Sequence, residues 1–389
     1  MTSPRHVPTS SSLAMCLAAI RGLGEATVSD IASDTGLSRP TVEAVLAQLA
    51  DGGVVEHADH PVQPHGGGRP ARLSRFRADR GLVAGLDIVG PSVEVVVTDL
   101  AGRRVAASSG QHPSPRSAAP EPELVRTALY ETMREAGLDW SLLRAVGVGM
   151  AGLVQPDGTA LTSPLVAPWV GINVTDALRA ALGVPLTLDN DLSLAALAES
   201  RLGALAQSRV GVYVQTWHHV SARVTIHGEV LRGRHNRAGE VGLLHSFSDI
   251  DIPRGDLAIA MPPVDDALER LHTHPADPVG REALGRISAA MTPAVAALVL
   301  TVDPDVVVLG GPLSRHADLI SPVLTPLVND FSDGVDLDVL ITGSELAGRA
   351  VAVGATLQAF ADFSQQIYGT AGVVPPELDL EGQAPGRLV

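Results

Sequence analysis

Residues 82–102 read LVAGLDIVGPSVEVVVTDLAG, and their pattern sets the architecture of most of the chain. Leu82 to Ile88 and Val93 to Asp99 are apolar, valine-rich runs joined by the tight Val89-Gly90-Pro91-Ser92 turn, which predicts two adjacent strands. Ala101-Gly102 marks a further hairpin. Downstream, Ser108 to Glu121 reads as a Ser/Pro-rich loop, Leu124 to Ala136 as a helix and Ala145 to Met150 as a strand. Helices are expected over Val174 to Leu182, Leu192 to Leu205 and Ile287 to Thr301, with strands over Val210 to Gln215, Ala222 to Ile226 and Val306 to Leu309. Alternation of this kind implies a mixed α/β, two-lobed body.

Upstream the pattern changes. Leu13, Leu17, Ile20 and Leu23 recur at helical spacing, and Gly24 closes that helix. Thr27 stands three residues before Asp30, a capping-box start for a helix over Val28 to Thr35, and Gly36 supplies the turn. Ser38 caps a third helix that tolerates Pro40 in its first turn, with Val42, Val45, Leu46 and Leu49 as its buried stripe. Arg39, Thr41, Glu43, Ala44 and Gln48 fall on the open face. Helix, glycine turn and a helix with a polar leading end is helix-turn-helix geometry. Val54-Val55-Glu56 and Arg72-Leu73-Ser74 read as the two strands of a wing. Gly66-Gly67-Gly68-Arg69-Pro70 reads either as an arm that carries Arg69 into a minor groove or as a plain linker.

The chain carries 28 basic residues, all arginine, against 43 acidic ones, a net charge of −15. That sum is unlike a nucleic-acid binder, but its distribution is not. Residues 1–80 hold eight arginines and eight acids, so the whole excess lies further on. Arg69, Arg72, Arg75 and Arg77 crowd into one short stretch. A single cysteine, Cys16, excludes an intrachain disulfide and a multi-cysteine zinc site. The polar opening MTSPRHVPTS is no signal segment, and the apolar run Ala294 to Val302 falls short of the roughly 20 residues that span a bilayer. The expectation is a cytoplasmic protein with no membrane contact.

Several motifs, in this order, resemble the ROK (repressor, open reading frame, kinase) family. They are GLSRPTV at 36–42, GGRPA at 67–71, GLDI at 85–88 with DLAG at 99–102, and GVGMAG at 147–152. LDND at 188–191 with AALAE at 195–199, AGEVG at 238–242 and VVLGG at 307–311 complete the series. The resemblance covers residues 12 to about 362 and implies an actin-like (ribonuclease H-like, sugar-kinase-like) fold with a cleft between two lobes. It divides the chain into a winged helix-turn-helix over 1–60, a wing and linker over 61–80, a first lobe over 81–190 completed by a helix near 350–365, and a second lobe over 191–349. The polar residues 370–389 are expected to be disordered.

In ROK kinases an aspartate at the position of Asp191 takes the hydroxyl proton of the sugar. The phosphate-binding turns, however, depart from the family. Its Asp-Ile-Gly-Gly-Thr is here Asp87-Ile88-Val89-Gly90-Pro91, where Pro91 has no amide hydrogen to donate. Its second, glycine-rich turn is here Thr216-Trp217-His218-His219-Val220-Ser221. The family's zinc corner is also changed: Leu243 stands where a histidine is expected, His245 comes two positions late, and the cysteines are missing. The expectation is therefore a non-enzyme with no cofactor and no metal, in which His218-His219 and His272/His274 are solvated.

Asn190, Asp191 and Glu240 match positions that contact sugar hydroxyls in the family; alternatively Asn190-Asp191 is a helix cap and Glu240 a solvated charge. Trp169 packs either on a sugar face or in the core. The DNA-facing set comprises Ser38, Arg39, Pro40, Thr41, Glu43, Ala44, Gln48, Arg69 and Arg72. Together these imply a regulator of the repressor type, homodimeric or homotetrameric, bound to double-stranded DNA at a pseudo-palindromic operator, with a sugar or sugar-phosphate effector. The alternatives are a sugar kinase with an accessory DNA-binding module and a DNA-bound scaffold with no small ligand.

Overall fold

The computed structural model describes residues 10–58, 72–89, 92–111, 122–163, 169–216, 220–244, 257–331 and 337–381. A three-helix module opens the chain. α1 (Ser10–Leu23) buries Leu13, Cys16, Leu17 and Ile20 along one face. After β1 (Glu25–Thr27), a reciprocal cap starts α2 (Val28–Thr35): the Asp30 amide donates to the Thr27 hydroxyl, and the Thr27 amide donates to the Asp30 carboxylate at 2.9 Å. Gly36, at φ 70°, ends α2 in the left-handed conformation, and Ser38 caps α3 (Arg39–Asp51). β2 (Val55–His57) and β3 (Leu73–Phe76) pair antiparallel as the wing reading expects. β1 joins the other edge of β3, so the wing sheet has the order β1-β3-β2, a strand more than the sequence pattern shows. Residues 59–71, with the Gly-Gly-Arg-Pro arm and Arg69, lie outside the described residues.

The first lobe runs β4 (Leu82–Val89), β5 (Ser92–Asp99), β6 (Arg104–Gln111), α4 (Pro122–Glu135) and β7 (Leu143–Met150). The ribbon β8 (Leu153–Val154) and β9 (Ala160–Thr162), then α5 (Val174–Leu182) and β10 (Leu186–Asn190), complete it. The second lobe begins after α6 (Asp191–Leu202) with β11 (Val210–Thr216), β12 (Val220–Ile226) and β13 (Glu229–Val230). It continues through α7 (Leu257–Thr273), α8 (Pro278–Val302), β14 (Val306–Leu309), α9 (Ala317–Phe331) and β15 (Leu340–Gly343). α10 (Ala350–Asp362) and α11 (Ser364–Tyr368) end the helices.

The two lobes share one topology. Their sheets run β6-β5-β4-β7-β10 and β13-β12-β11-β14-β15. In each, the first three strands form an antiparallel meander, and two parallel strands extend the other edge. The chain is thus an α/β protein built on a duplicated half.

α6 and α10 form the layer between the sheets, and glycines set its spacing. A Cβ on Gly85 of β4 would stand 1.9 Å from the Ala352 carbonyl oxygen, one on Gly147 of β7 1.9 Å from that of Ala355, and one on Gly354 of α10 1.9 Å from that of Leu194. Backbone therefore meets backbone where α10 lies on the first sheet and on α6. Glu199 of α6, fully buried, ties in the second lobe by accepting from the Ser344 hydroxyl and from the Leu346 amide at 3.0 Å.

Three expectations are corrected. Ser108 to Gln111 are strand, since β6 pairs with β5 as far as Gln111↔Ser92; residues 112–121 lie outside the described residues. The helix expected over Ile287 to Thr301 is 25 residues long, with a window of mean hydropathy 1.6, long and apolar enough to cross a membrane. Half of that window is buried, and Ile287, Met291, Val295 and Leu298 sit in the second-lobe core. Finally, residues 370–381 are packed rather than disordered. Val373 and Leu378 are buried, the Asp379 amide donates to the Gly102 carbonyl at 3.0 Å, and the Arg104 amide donates to the Asp379 carbonyl at 2.9 Å.

This tail also holds the N-terminal module. Arg21 of α1 donates to the Val374 carbonyl at 2.8 Å and to the Tyr368 hydroxyl at 3.4 Å, and Tyr368 donates to the Leu100 carbonyl at 2.8 Å.

Gly147→Ala should cost about 3 kcal/mol or more of unfolding free energy, because the new methyl meets backbone that cannot rotate away. Gly285→Ala, on an exposed turn of α8 with open space around it, should instead stabilise by about 0.5–1 kcal/mol. Denaturant titrations of both variants check the contrast in sign.

Candidate functional site

A cleft of about 480 Å³ lies between the lobes, at the carboxyl ends of β4, β10 and β11. Asp87, Glu94, Asn190, Asp191, Glu240, Asp265 and Arg315 bring charge and polarity to walls otherwise made by residues such as Leu153, Leu192, Pro312 and Val351. Asn190 ends β10 and caps α6: its Oδ1 accepts from the Ser193 amide at 3.1 Å, and its Nδ2 donates to the Gly152 carbonyl at 2.9 Å. The helix-cap reading of Asn190 therefore describes what the residue does, and the same side chain faces the cleft.

Asp191, the first residue of α6, accepts through Oδ1 from its neighbours Leu192 and Asn190, both at 2.9 Å. Its other oxygen makes no hydrogen bond among the described residues. Burial pushes its carboxyl up to about 7; nearby Glu240 adds to the shift, while the Leu192 amide and Arg223 oppose it. Asp87 at the end of β4 is buried too, and its Oδ1 has no hydrogen-bond partner. Burial first, then repulsion from Asp191 and Glu94, drives its carboxyl well above the ordinary range, and burial raises Glu94 as well.

Arg223 is the residue that sequence reasoning missed. It stands on β12 with 1% of its side chain exposed, and Glu240 is its ion-pair partner at 2.7 Å. It also donates to Asn190 Oδ1 at 2.8 Å and Ser193 Oγ at 2.9 Å. Glu240 is thus a buried, fixed carboxylate and not a solvated one. A charged residue inside the apolar alternation Val220 to Ile226 was the available signal. Trp169 is 6% exposed and belongs to the first-lobe core, which settles its alternatives.

The residues present do not fit the zinc site that the family resemblance implies. Leu243, exposed at the cleft edge, offers no donor atom, and Cys16 is buried in α1, in the N-terminal module. His245, the turn 217–219 and residues 90–91 lie outside the described residues.

On the N-terminal module, Ser38, Arg39, Pro40, Glu43 and Gln48 are exposed, Ala44 is half-buried and Arg72 is exposed. Thr41 is not on the open face: it is 7% exposed, and its hydroxyl lies 2.7 Å from that of Ser38, inside the cap. Arg75 pairs with Glu25 and Arg77 with Glu56 and Asp79, so these two of the clustered arginines are neutralised within the wing. Arg39 and Arg72 make no ion pair among the described residues.

The raised Asp191 carboxyl has a consequence for stability. An unfolded aspartate ionises near pH 4, the folded one at about 7, so its contribution is fully present below the unfolded value and is lost as pH rises through 7. Asp191→Asn should be more stable than the parent at pH 8, on the order of 2 kcal/mol, and no more stable at pH 4. Denaturation at the two pH values checks this; an equal gain at both would remove burial of the charge as the cause.

Residues 83–251 match the ROK family. A putative xylose repressor of Caldicellulosiruptor sp. (strain Rt8B.4) is 26% identical over 216 residues, 53% of this chain and 51% of that protein. The chain spans about half the length of the curated relatives it matches first. Among solved structures, a ROK family transcriptional regulator, a homolog of the E. coli MLC protein, superposes with a TM-score of 0.67 at 16% identity, over 92% of this chain and 97% of that one. A ROK family glucokinase from Streptomyces griseus, in complex with glucose and AMPPNP, gives 0.58 at 20% identity, over 72% of this chain and 99% of that one. The fold is therefore the sugar-kinase-like one, and the regulator superposes over a larger share of this chain than the kinase does. Residues 83–251, which hold the first lobe and part of the cleft, are the stretch that resembles the ROK family.

Proposed function

We propose that the protein is a DNA-binding transcription regulator of the repressor type, whose cleft senses a small hydroxylated ligand, a sugar or sugar phosphate, without phosphorylating it. The observation that carries this reading is the exposed leading end of α3. Its Ser38-Arg39-Pro40 face, where Arg39 makes no ion pair among the described residues, stands on a module that Arg21 ties to the body of the protein. Such an end meets base edges and phosphates in a major groove. The relative named as a xylose repressor and the regulator of like fold support the same assignment.

A two-fold dimer would place two α3 helices in successive grooves, on half-sites one helical turn or a multiple apart. In the cleft, carboxylates of Asp87, Glu94 and Asp191 with hydrogen-bond capacity to spare suit a ligand rich in hydroxyl donors. Arg104 and Gly102, bonded to the tail that holds α1, form a path from the first lobe to the DNA-binding module.

One observation favours the kinase alternative. A buried carboxylate at about 7, as at Asp191, is tuned as a general base. Against it, Val89 stands at the cleft where the family's phosphate turn has glycine, and Pro91 follows with no amide to donate. Sugar-dependent ATP turnover abolished by Asp191→Asn would establish the kinase; its absence with a sugar panel that shifts DNA affinity would establish the sensor.

Selection of genomic fragments by the full-length protein, followed by sequencing, should recover a recurrent pseudo-palindrome. Arg39→Ala should weaken binding to that site at least tenfold and reduce the slope of log affinity against log salt by about 1. Arg69→Ala should weaken sites with A·T steps in the minor groove more than others; equal loss on all sequences reduces Arg69 to a phosphate contact. Enrichment that survives removal of residues 1–80 would overturn the reading.

A further inference from the structure

Behind the cleft wall, the last turns of α7 meet the 3-10 turn Gly311–His316. His272 Nε2 lies 3.1 Å from His316 Nδ1, with the two rings stacked at 5.4 Å between centroids. Glu269, one helical turn before His272, brings a carboxylate to the same place: one ligand atom from each of the three lies within 4.8 Å of the others. His272, read as solvated, is exposed but engaged by His316, while His274, also exposed, meets the neighbouring Thr273 hydroxyl at 3.0 Å.

The outward nitrogens decide what the inward ones are. His316, fully buried, has Nε2 at 3.0 Å from Asp265 Oδ1. In the tautomer with its proton on Nε2, His316 donates to Asp265, whose two oxygens also accept from Arg315 Nε and Nη2. Arg315 Nε donates to Asp265 Oδ1 at 3.0 Å and lies 3.3 Å from His316 Nε2. His316 Nδ1 is then a lone pair aimed at His272. On the far side, the Asp318 carboxylate lies 3.7 Å from His272 Nδ1, so that an acidic group stands behind each ring. Glu269 adds its carboxylate to these two inward nitrogens, a donor set that a cation can bridge. Imidazoles whose outer nitrogens are held by carboxylates are the usual surroundings of a metal ion. Two nitrogens bound at about 2.0–2.1 Å with tetrahedral angles are about 3.3 Å apart.

We infer that Glu269, His272 and His316 bind a divalent transition-metal ion of the zinc type, with solvent completing its shell. Two nitrogens and one oxygen are donors such an ion accepts. The site is separate from the corner where family members carry zinc. The ion would fasten the 311–316 turn to α7, and the same turn presents Ser314 and Arg315 to the cleft.

The test uses the full-length protein, stripped with EDTA and desalted, then titrated with Co(II) by visible absorption and with Zn(II) by calorimetry. One ion per chain is expected, with the absorption of a tetrahedral-type cobalt site and a melting temperature that rises with Zn(II). Glu269→Gln and His272→Gln, both on the exposed side of α7, should each weaken binding at least tenfold, while His274→Gln leaves it unchanged. Affinity should fall on acidification, because the ion competes with protons for the imidazoles. No uptake of either ion would overturn the inference and leave a shared proton between the rings. Uptake unchanged in His272→Gln would overturn it as well.

Discussion

The contact on which the molecule depends is helix α10 lying directly on strands β4 and β7, with no side chain between them. Gly85 and Gly147 open the sheet to the helix backbone, and Gly354 opens the helix to α6. Packing this close fixes the height of α6 above the first sheet. The height of α6 in turn fixes Asn190 and Asp191, which sit at its first turn and in the cleft. Glu199, two turns along, then sets the second lobe by taking hydrogen bonds from Ser344 and Leu346. The floor of the cleft is thus a by-product of how three backbones touch.

What the cleft does chemically is governed by an imbalance of charge. Arg223 is engaged by Glu240 and Asn190, and Arg315 by Asp265. Asp87, Glu94 and Asp191 have no ion-pair partner among the described residues, and burial first, with repulsion added at Asp87 and Asp191, raises their proton affinities. Buried oxygens of this kind, Asp87 Oδ1 among them, are under-satisfied until something brings hydrogen-bond donors to them. Hydroxyl groups do this without introducing charge, which connects the electrostatics of the cleft to the class of ligand proposed for it.

The parts legible in the sequence were those with local causes. The capping box at Thr27 and Asp30, the Gly36 turn, the wing hairpin and the valine strands each follow from residues a few positions apart, and the structure contains all of them. The parts that were not legible depend on distant partners. Ser108 to Gln111 have a loop's composition, yet β5 supplies their hydrogen bonds. The Pro/Gly-rich tail has no periodicity to read, and its order comes from Gly102 and Arg104. Arg223, Glu240 and the His272–His316 pair assemble from separate elements, so no spacing announces them. Thr41 was misplaced because its hydroxyl serves the Ser38 cap. The duplication escaped notice because the lobes share strand order and not residues.

The tail that pins α1 has a consequence for how the protein is made. Arg21 and Val374 are 353 residues apart, so the helix emerges from the ribosome long before the carbonyl it binds has been synthesised. During that interval the N-terminal module can fold on its own local contacts but has no seat on the body. Only a finished chain closes the circuit between α1, Tyr368 and Leu100. Until then the segment after the wing meets the first lobe, as where the Leu100 amide donates to the Ala78 carbonyl, while α1 lacks the two partners that the tail supplies.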